Sequence, residues 1–120
     1  PGGAVRVLTS ADGKKWEPTA VIKSPTPRRG LWVPTFTTTP DGRLMVTALG
    51  ILPYPDSPDP LPPYGGRSKT LARVSKDGRD WGEHTPLGLD EFPLGRVVWH
   101  DGTAFSPAIG RICGSAQTLK

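Results

Sequence analysis

The sequence predicts an all-β protein of antiparallel strands joined by tight turns, and three observations lead to this fold class. Glycine and proline each occur 15 times in 120 residues, a turn-rich composition at the edge of what low-complexity chains show. Two kinds of turn sequence recur in the same order along the chain. No stretch has helical periodicity over the roughly 11 residues that are needed to predict a helix.

The recurring turns define an internal repeat. Residues 10–16 and 75–81 share serine, aspartate, glycine and tryptophan at the same spacing, 65 positions apart. The Asp-Gly pairs at 41–42 and 101–102 recur 60 positions apart. Two turn types that recur in phase are hard to obtain by chance, so they indicate one repeated structural unit.

Segments rich in β-forming residues lie between these turns and predict the strands. Residues 36–39 lead into the first Asp-Gly turn and residues 43–51 lead out of it, which is a strong hairpin signal. Residues 68–75 and 97–100 precede the next two turns. One unit is therefore a four-stranded antiparallel meander with an Asp-Gly turn, a long loop and a Ser-x-Asp-Gly-x-x-Trp turn. Four-stranded units in tandem predict the blades of a β-propeller.

The phase of the repeat places about two blades in the chain. Residues 1–24 form the end of one blade, residues 25–90 one full blade, and residues 91–120 the start of the next. The third-strand sequence at 69–72 recurs in similar form at 117–120. Propellers typically have 4–8 blades, and two blades cannot close a ring. We therefore expect either a fragment of a longer protein or a unit that assembles with copies of itself around one axis.

The Ser-x-Asp-Gly-x-x-Trp element resembles the Asp-box, or BNR repeat, of the sialidase (neuraminidase) superfamily. Its positions are filled in the first copy by Ser10, Asp12, Gly13 and Trp16, and in the second by Ser75, Asp77, Gly78 and Trp81. The resemblance covers most of the chain. It implies a six-bladed propeller whose boxes lie on the periphery, far from any catalytic centre.

The chemistry of the box itself predicts a structural turn. Asp12 and Asp77 can accept hydrogen bonds from backbone N–H groups of their own turns, and Gly13 and Gly78 can supply the positive φ that such turns need. The two tryptophans of the boxes are expected to pack between sheets and anchor the turns. We expect neither box to contact a substrate, because signals of fold and signals of function are separate.

The topology of a meander places a possible site at the end opposite the boxes, where loops 24–32, 52–66 and 90–96 lie together. In sialidases that end carries the active site. The charged and aromatic residues expected there are Arg28, Arg29, Trp32, Tyr54, Asp56, Asp59, Tyr64, Arg67, Asp90, Glu91 and Arg96.

The resemblance implies an arginine cluster for a substrate carboxylate, a Tyr–Glu nucleophile pair and an aspartate as general acid and base. The family's Arg-Ile-Pro element falls at residues 32–34, Trp-Val-Pro, where tryptophan replaces the arginine. The candidate catalytic acids are Glu91 and Asp90. The candidate substrate-binding residues are Arg96, Trp32, Arg29 and Tyr64. Arg96 is the best remaining arginine, although an ion pair at a strand start is the commoner role for such a residue. No complete catalytic set can be assigned.

Charge and ligand-bearing residues argue against several classes of partner. The net charge is +4, but the basic residues are scattered, whereas a nucleic-acid surface needs a cluster. No apolar run approaches the ~20 residues of a membrane helix. Cys113 is the only cysteine, and His84 and His100 lack partners at metal-ligand spacing. We therefore expect a soluble protein with no metal and no cofactor, and the sequence leaves open a cytoplasmic or secreted bacterial-type parent.

Three functions are compatible with these observations. The first is a piece of a glycoside hydrolase of the exo-α-sialidase type that acts on terminal acidic sugars. The second is a non-catalytic propeller module that binds glycans or proteins through the same end, and the third is a structural fragment without its own activity. The tryptophan at position 32 favours the second for this chain, whereas the prevalence of enzymes in the family favours the first for a longer parent. The expected partner is a carbohydrate, sialylated or otherwise acidic.

Overall fold

A computed structural model describes residues 3–110, which form eight β-strands and no helix. The strands are β1 (Val5–Thr9), β2 (Glu17–Ile22), β3 (Trp32–Thr38), β4 (Leu44–Leu52), β5 (Arg67–Ser75), β6 (Thr85–Leu87), β7 (Val98–His100) and β8 (Thr103–Phe105). All five strand pairings within the described residues are antiparallel. The predicted all-β class is confirmed. The third-strand sequence expected at residues 117–120 and Cys113 lie outside the described residues.

A four-stranded sheet lies at the centre, in the order β3-β4-β5-β6, and each strand pairs with the next one along the chain. This is the meander that the sequence predicts. Its longest pairing is between β4 and β5, with nine residue pairs from Leu44↔Ser75 to Leu52↔Arg67. Two-stranded sheets, β1-β2 and β7-β8, come before and after it along the chain.

Strand β4 is buried at most of its positions because both faces of the central sheet are covered. Antiparallel sheets more often have one face in water. Alternate residues such as Val46 and Ala48 join a core that includes Val5, Val7 and Ile22 of the β1–β2 hairpin. The intervening residue Met45 packs instead with Ala72, Val97 and the partly buried Leu94 on the other face. The central sheet thus lies between a segment that precedes it in the chain and a segment that follows it.

The edges of the central sheet are poor templates for a further strand. On β3 the pairing with β4 shifts register between Trp32 and Thr35, and Val33 has a left-handed φ of 52°. Pro34 follows it, and proline offers no N–H to a neighbouring strand. The opposite edge strand, β6, has three residues, of which Pro86 is one. Bulges, prolines and short length are the usual protection of an exposed edge.

Both Asp-Gly pairs form hairpin turns. The carbonyl of Thr39 accepts a hydrogen bond from the N–H of Gly42 at 2.9 Å, and the N–H of Thr39 donates to the carbonyl of Arg43 at 2.8 Å. In the second turn Asp101 and Gly102 have φ values of 49° and 77°, as a two-residue type I′ turn requires. The sequence signal therefore located both turns.

The first Asp-Gly turn is expected to make the stability of the protein depend on pH in the acidic range. The hydroxyl of Thr39 and the guanidinium of Arg43 donate to Asp41 and lower the pKa of its carboxyl from 3.8 to about 2. Because this pKa is lower in the folded state, ionised Asp41 contributes stability above about pH 4, and the contribution is lost as the pH falls towards 2. We expect the Tm of the unmodified chain to fall more steeply between pH 4 and pH 2 than that of Asp41→Asn. Parallel curves of Tm against pH, measured by circular dichroism, would show that Asp41 does not stabilise the turn.

Candidate functional site

The two Ser-x-Asp-Gly-x-x-Trp turns have nearly identical geometry. The N–H of Gly13 donates to Ser10 Oγ at 2.7 Å, and the N–H of Gly78 donates to Ser75 Oγ at 2.8 Å. Oδ1 of each aspartate accepts hydrogen bonds from two backbone N–H groups. In the first turn Asp12 accepts from Lys15 at 2.9 Å and from Lys14 at 2.8 Å. In the second turn Asp77 accepts from Asp80 and from Arg79, each at 2.9 Å. These bonds lower the pKa of both carboxyls. Each carboxylate is therefore occupied in holding its own turn.

The tryptophans of the two turns differ in burial. Trp81 packs against the larger core, with its ring centroid 6.0 Å from that of Phe36, and its indole N–H donates to the carbonyl of Gly78 at 3.2 Å. Trp16 is 58% exposed. The prediction that both tryptophans pack between sheets is wrong for Trp16 within residues 3–110. The reason is that no β3-like strand lies beside the β1–β2 hairpin there to supply the partner that Phe36 gives Trp81.

Two adjoining grooves lie at the opposite end, between loops 24–32 and 52–66. Their volumes are about 550 and 610 Å³. The residues that line both are Thr26, Pro27, Asp59 and Leu61. Tyr54 and Arg67 lie on the first, and Arg28 and Arg29 on the second. We call the pair the loop groove.

Arg29 joins the two walls of the loop groove. Its Nη2 donates to the carbonyl of Pro62 and, at 3.1 Å, to that of Gly65. The guanidinium that the sequence offers as a substrate ligand therefore fixes the proline-rich loop onto the neighbouring loop. Its role at the groove is to position the wall.

The carboxylates of Asp90 and Glu91 are bound to strand β5. Asp90 accepts from Lys69 Nζ at 3.1 Å and from Arg67 Nη1 at 3.0 Å, and these two bonds lower the pKa of its carboxyl. Glu91 accepts from the hydroxyl of Ser68 at 2.9 Å and from its N–H at 3.2 Å. A general acid needs a raised pKa so that it holds a proton at neutral pH, whereas Asp90 is held ionised.

The other predicted binding residues are not brought together. Arg96 Nη1 donates to the carbonyl of Phe36 on β3 at 3.2 Å, where it fastens the chain across the sheet. Trp32 lies exposed at the start of β3, and Tyr64 is fully exposed at a loop tip. None of these three lines the loop groove. Of the four candidates, Arg29 alone lies on it.

Sequence reasoning placed Arg28, Tyr54 and Arg67 at this end but did not select them. Arg28 is exposed and has a left-handed φ of 62°, and among residues 3–110 its guanidinium forms no salt bridge. The guanidinium carbon of Arg67 lies 5.9 Å from the ring centroid of Tyr54, a cation–π arrangement. Arg67 Nε is buried without a hydrogen-bond partner among the described residues. The signal that could have found Arg28 and Tyr54 is their position next to prolines of the two loops that form the groove.

Comparisons with protein-family models, curated proteins and solved structures returned no match. The part of the chain from residue 3 to residue 110 holds no cluster of three or more side chains suited to a metal ion. Over the same residues, no helix of the length and apolar character needed to cross a membrane is found.

Proposed function

We propose that the central sheet is one blade of a sialidase-like β-propeller and that the two hairpins belong to its neighbours. In a propeller each blade packs face to face between the preceding and the following blade. The coverage of both faces of β4, by Val5 and Ile22 on one side and by Leu94 and Val97 on the other, supports this arrangement. An isolated antiparallel sheet would leave one of these faces in water.

We propose further that the loop groove binds the acidic terminal sugar of a glycan without hydrolysing it. The observation that carries this proposal is the exposed guanidinium of Arg28 at the groove, unpaired with any carboxylate of residues 3–110. A guanidinium presents parallel N–H donors that match the two oxygens of a carboxylate. A residue held at positive φ costs free energy, and such strain concentrates at binding sites.

The rest of the groove suits a sugar ring. Tyr54 offers a flat apolar face with a polar hydroxyl at its edge, and Arg67 beneath it is fixed by Asp90. Asp59 adds a polar group on the shared wall. Apolar walls with a few placed polar groups are typical of small-ligand sites.

Binding is favoured over hydrolysis because of the state of the carboxylates. Glycoside hydrolysis needs a proton donor beside the scissile bond and a nucleophile or base opposite it. Asp90 has a lowered carboxyl pKa and pairs with Lys69 and Arg67, and Glu91 is bound to Ser68. Asp90 is therefore held ionised and cannot serve as the proton donor, and neither carboxylate lines the loop groove.

The test is a titration of the chain with sialyllactose and with lactose, followed by NMR chemical shifts. We expect saturable binding of sialyllactose alone, and a Kd at least about tenfold weaker for Arg28→Ala, since hydrogen bonds to charged groups contribute roughly 1.5–3 kcal/mol. The matched control is Arg96→Ala, which removes an arginine that donates to a backbone carbonyl away from the groove and should leave Kd unchanged. Equal binding of lactose, or an unchanged Kd in Arg28→Ala, would refute the proposal. Release of a fluorogenic leaving group from a sialoside would identify a hydrolase instead.

A further inference from the structure

The loop groove has two halves that are lined by different side chains. The tyrosine half, with a volume of about 550 Å³, contains Tyr54 and Arg67, and the arginine half, of about 610 Å³, contains Arg28 and Arg29. Each volume alone lies within the range of roughly 300–1,000 Å³ that is typical of small-ligand pockets. The loop groove therefore has room for two sugar rings, one in each half.

The two halves also differ in the charge that they offer to a ligand. Neither Arg28 nor Arg29 forms a salt bridge among residues 3–110, and Arg29 donates to two backbone carbonyls. In the tyrosine half, by contrast, Arg67 pairs with the carboxylate of Asp90 at 3.0 Å. A carboxylate on the ligand is therefore attracted to the arginine half more strongly than to the tyrosine half.

The tyrosine half suits an uncharged sugar ring. Tyr54 is 44% exposed, and the guanidinium carbon of Arg67 lies 5.9 Å from its ring centroid, so part of the aromatic ring is open to the groove. An aromatic ring offers an apolar surface on which the C–H groups of a sugar can pack. The hydroxyl of Ser57, which also lines this half, accepts from the N–H of Tyr54 at 2.9 Å and can donate its own proton to a sugar hydroxyl.

The carboxylate of Asp59 lies on the wall that the two halves share, and it forms no salt bridge among residues 3–110. We infer that Asp59 makes the loop groove selective for glycans in which the acidic terminal sugar is followed by a neutral one. The acidic ring lies in the arginine half and the neutral ring lies against Tyr54. This inference rests on the proposed function and adds to it the charge of the second sugar.

The mechanism of selection is repulsion between carboxylates. A second sugar that carries its own carboxylate brings that charge to the tyrosine half, beside Asp59. Two like unit charges roughly 4 Å apart in water repel each other enough to weaken binding about fivefold. A neutral second sugar avoids this repulsion, and its hydroxyls can donate hydrogen bonds to the same carboxylate.

NMR titrations of the chain with sialyllactose and with disialyllactose test the role of Asp59, because the second sugar is neutral in the first glycan and a further sialic acid in the second. We expect disialyllactose to bind about fivefold more weakly, and Asp59→Asn to reduce this ratio at least about threefold. Asp56→Asn is the matched control, since Asp56 belongs to the same exposed loop but lines neither half. Equal affinity of the unmodified chain for both glycans, or the same ratio in Asp59→Asn and Asp56→Asn, would overturn the inference.

A second titration tests the place of the neutral ring. Methyl sialoside has the acidic ring alone, so we expect sialyllactose to bind about fivefold more tightly because its second ring packs on Tyr54. Tyr54→Leu keeps an apolar side chain in the wall and should reduce this ratio at least about threefold, whereas Tyr64→Leu, at a fully exposed tyrosine that lines neither half, should leave it unchanged. A ratio that Tyr54→Leu does not change would overturn the inference.

Arg28→Ala separates failure of this inference from failure of the proposed function. If sialyllactose binds and Arg28→Ala weakens its binding, but the variants of Asp59 and Tyr54 leave both ratios unchanged, then the inference is wrong and the proposed function stands. If sialyllactose does not bind to the unmodified chain, the proposed function and the inference are both wrong.

Discussion

Replacing Trp81 with alanine is expected to destabilise the protein by about 3 kcal/mol, at the lower end of the range for truncation of large aromatic side chains in cores. The indole packs against the larger core and beside the ring of Phe36, and it donates to the carbonyl of Gly78. Its removal leaves a gap between the β5–β6 connection and β3 and weakens the turn that Asp77 organises. The measurement is urea unfolding followed by circular dichroism.

Trp16→Ala is the matched control, because it removes the same side chain from the equivalent position of the other box. Trp16 is exposed, so its loss should cost less than about 1 kcal/mol, as at most surface positions. The expected difference in stability between the two variants comes from packing of the tryptophan alone, since the hydrogen bonds of serine and aspartate are the same in both turns. Equal losses for the two variants would show that the box, rather than contact with the sheet, determines the contribution of the tryptophan.

The turns and the central sheet could be predicted from sequence because their determinants are local. Gly42 and Gly78 have φ values of 84° and 77°, and the side chains that complete their turns lie within four positions of them. The burial of Trp81 and the exposure of Trp16 could not be predicted this way. The four defining residues of the motif are the same in both copies, and the difference arises from Phe36, which is 45 positions from Trp81.

The candidate site was predicted less well, because arginines bond to whatever carbonyl the fold brings near. Arg96 donates to Phe36, which is 60 positions away, and Arg29 reaches Gly65 across 36 positions. No local sequence pattern predicts either contact, so Arg96 and Arg29 cannot be distinguished by sequence from Arg28, which forms no salt bridge among residues 3–110. The predicted topology brings loops 24–32 and 52–66 together at one end of the sheet, where the loop groove lies. Side-chain packing decided which of their charged groups face the groove.

Gly66→Ala is expected to destabilise the protein by about 3 kcal/mol and to alter the loop groove. Gly66 has φ of 100°, which costs an alanine roughly 1–2 kcal/mol. A Cβ there would lie 2.6 Å from Cγ2 of Ile51 and 2.9 Å from the carbonyl oxygen of Leu52, and overpacking of this kind adds about 1–3 kcal/mol. The same Cβ would lie 3.0 Å from Leu61, which lines both parts of the groove. The measurements are urea unfolding and the Kd for sialyllactose.

Gly42→Ala separates the two contributions. Gly42 has φ of 84°, but a Cβ there would meet no atom within 4 Å, so this variant reports the cost of backbone conformation alone, about 1–2 kcal/mol. Its turn lies at the end of the sheet away from the groove, so sialyllactose should bind it unchanged. The excess destabilisation of Gly66→Ala then measures how tightly the proline-rich loop closes on the end of β4. If both variants lose the same stability while Gly66→Ala keeps its affinity, then loop 52–66 yields to the added methyl group and does not form a rigid wall of the site.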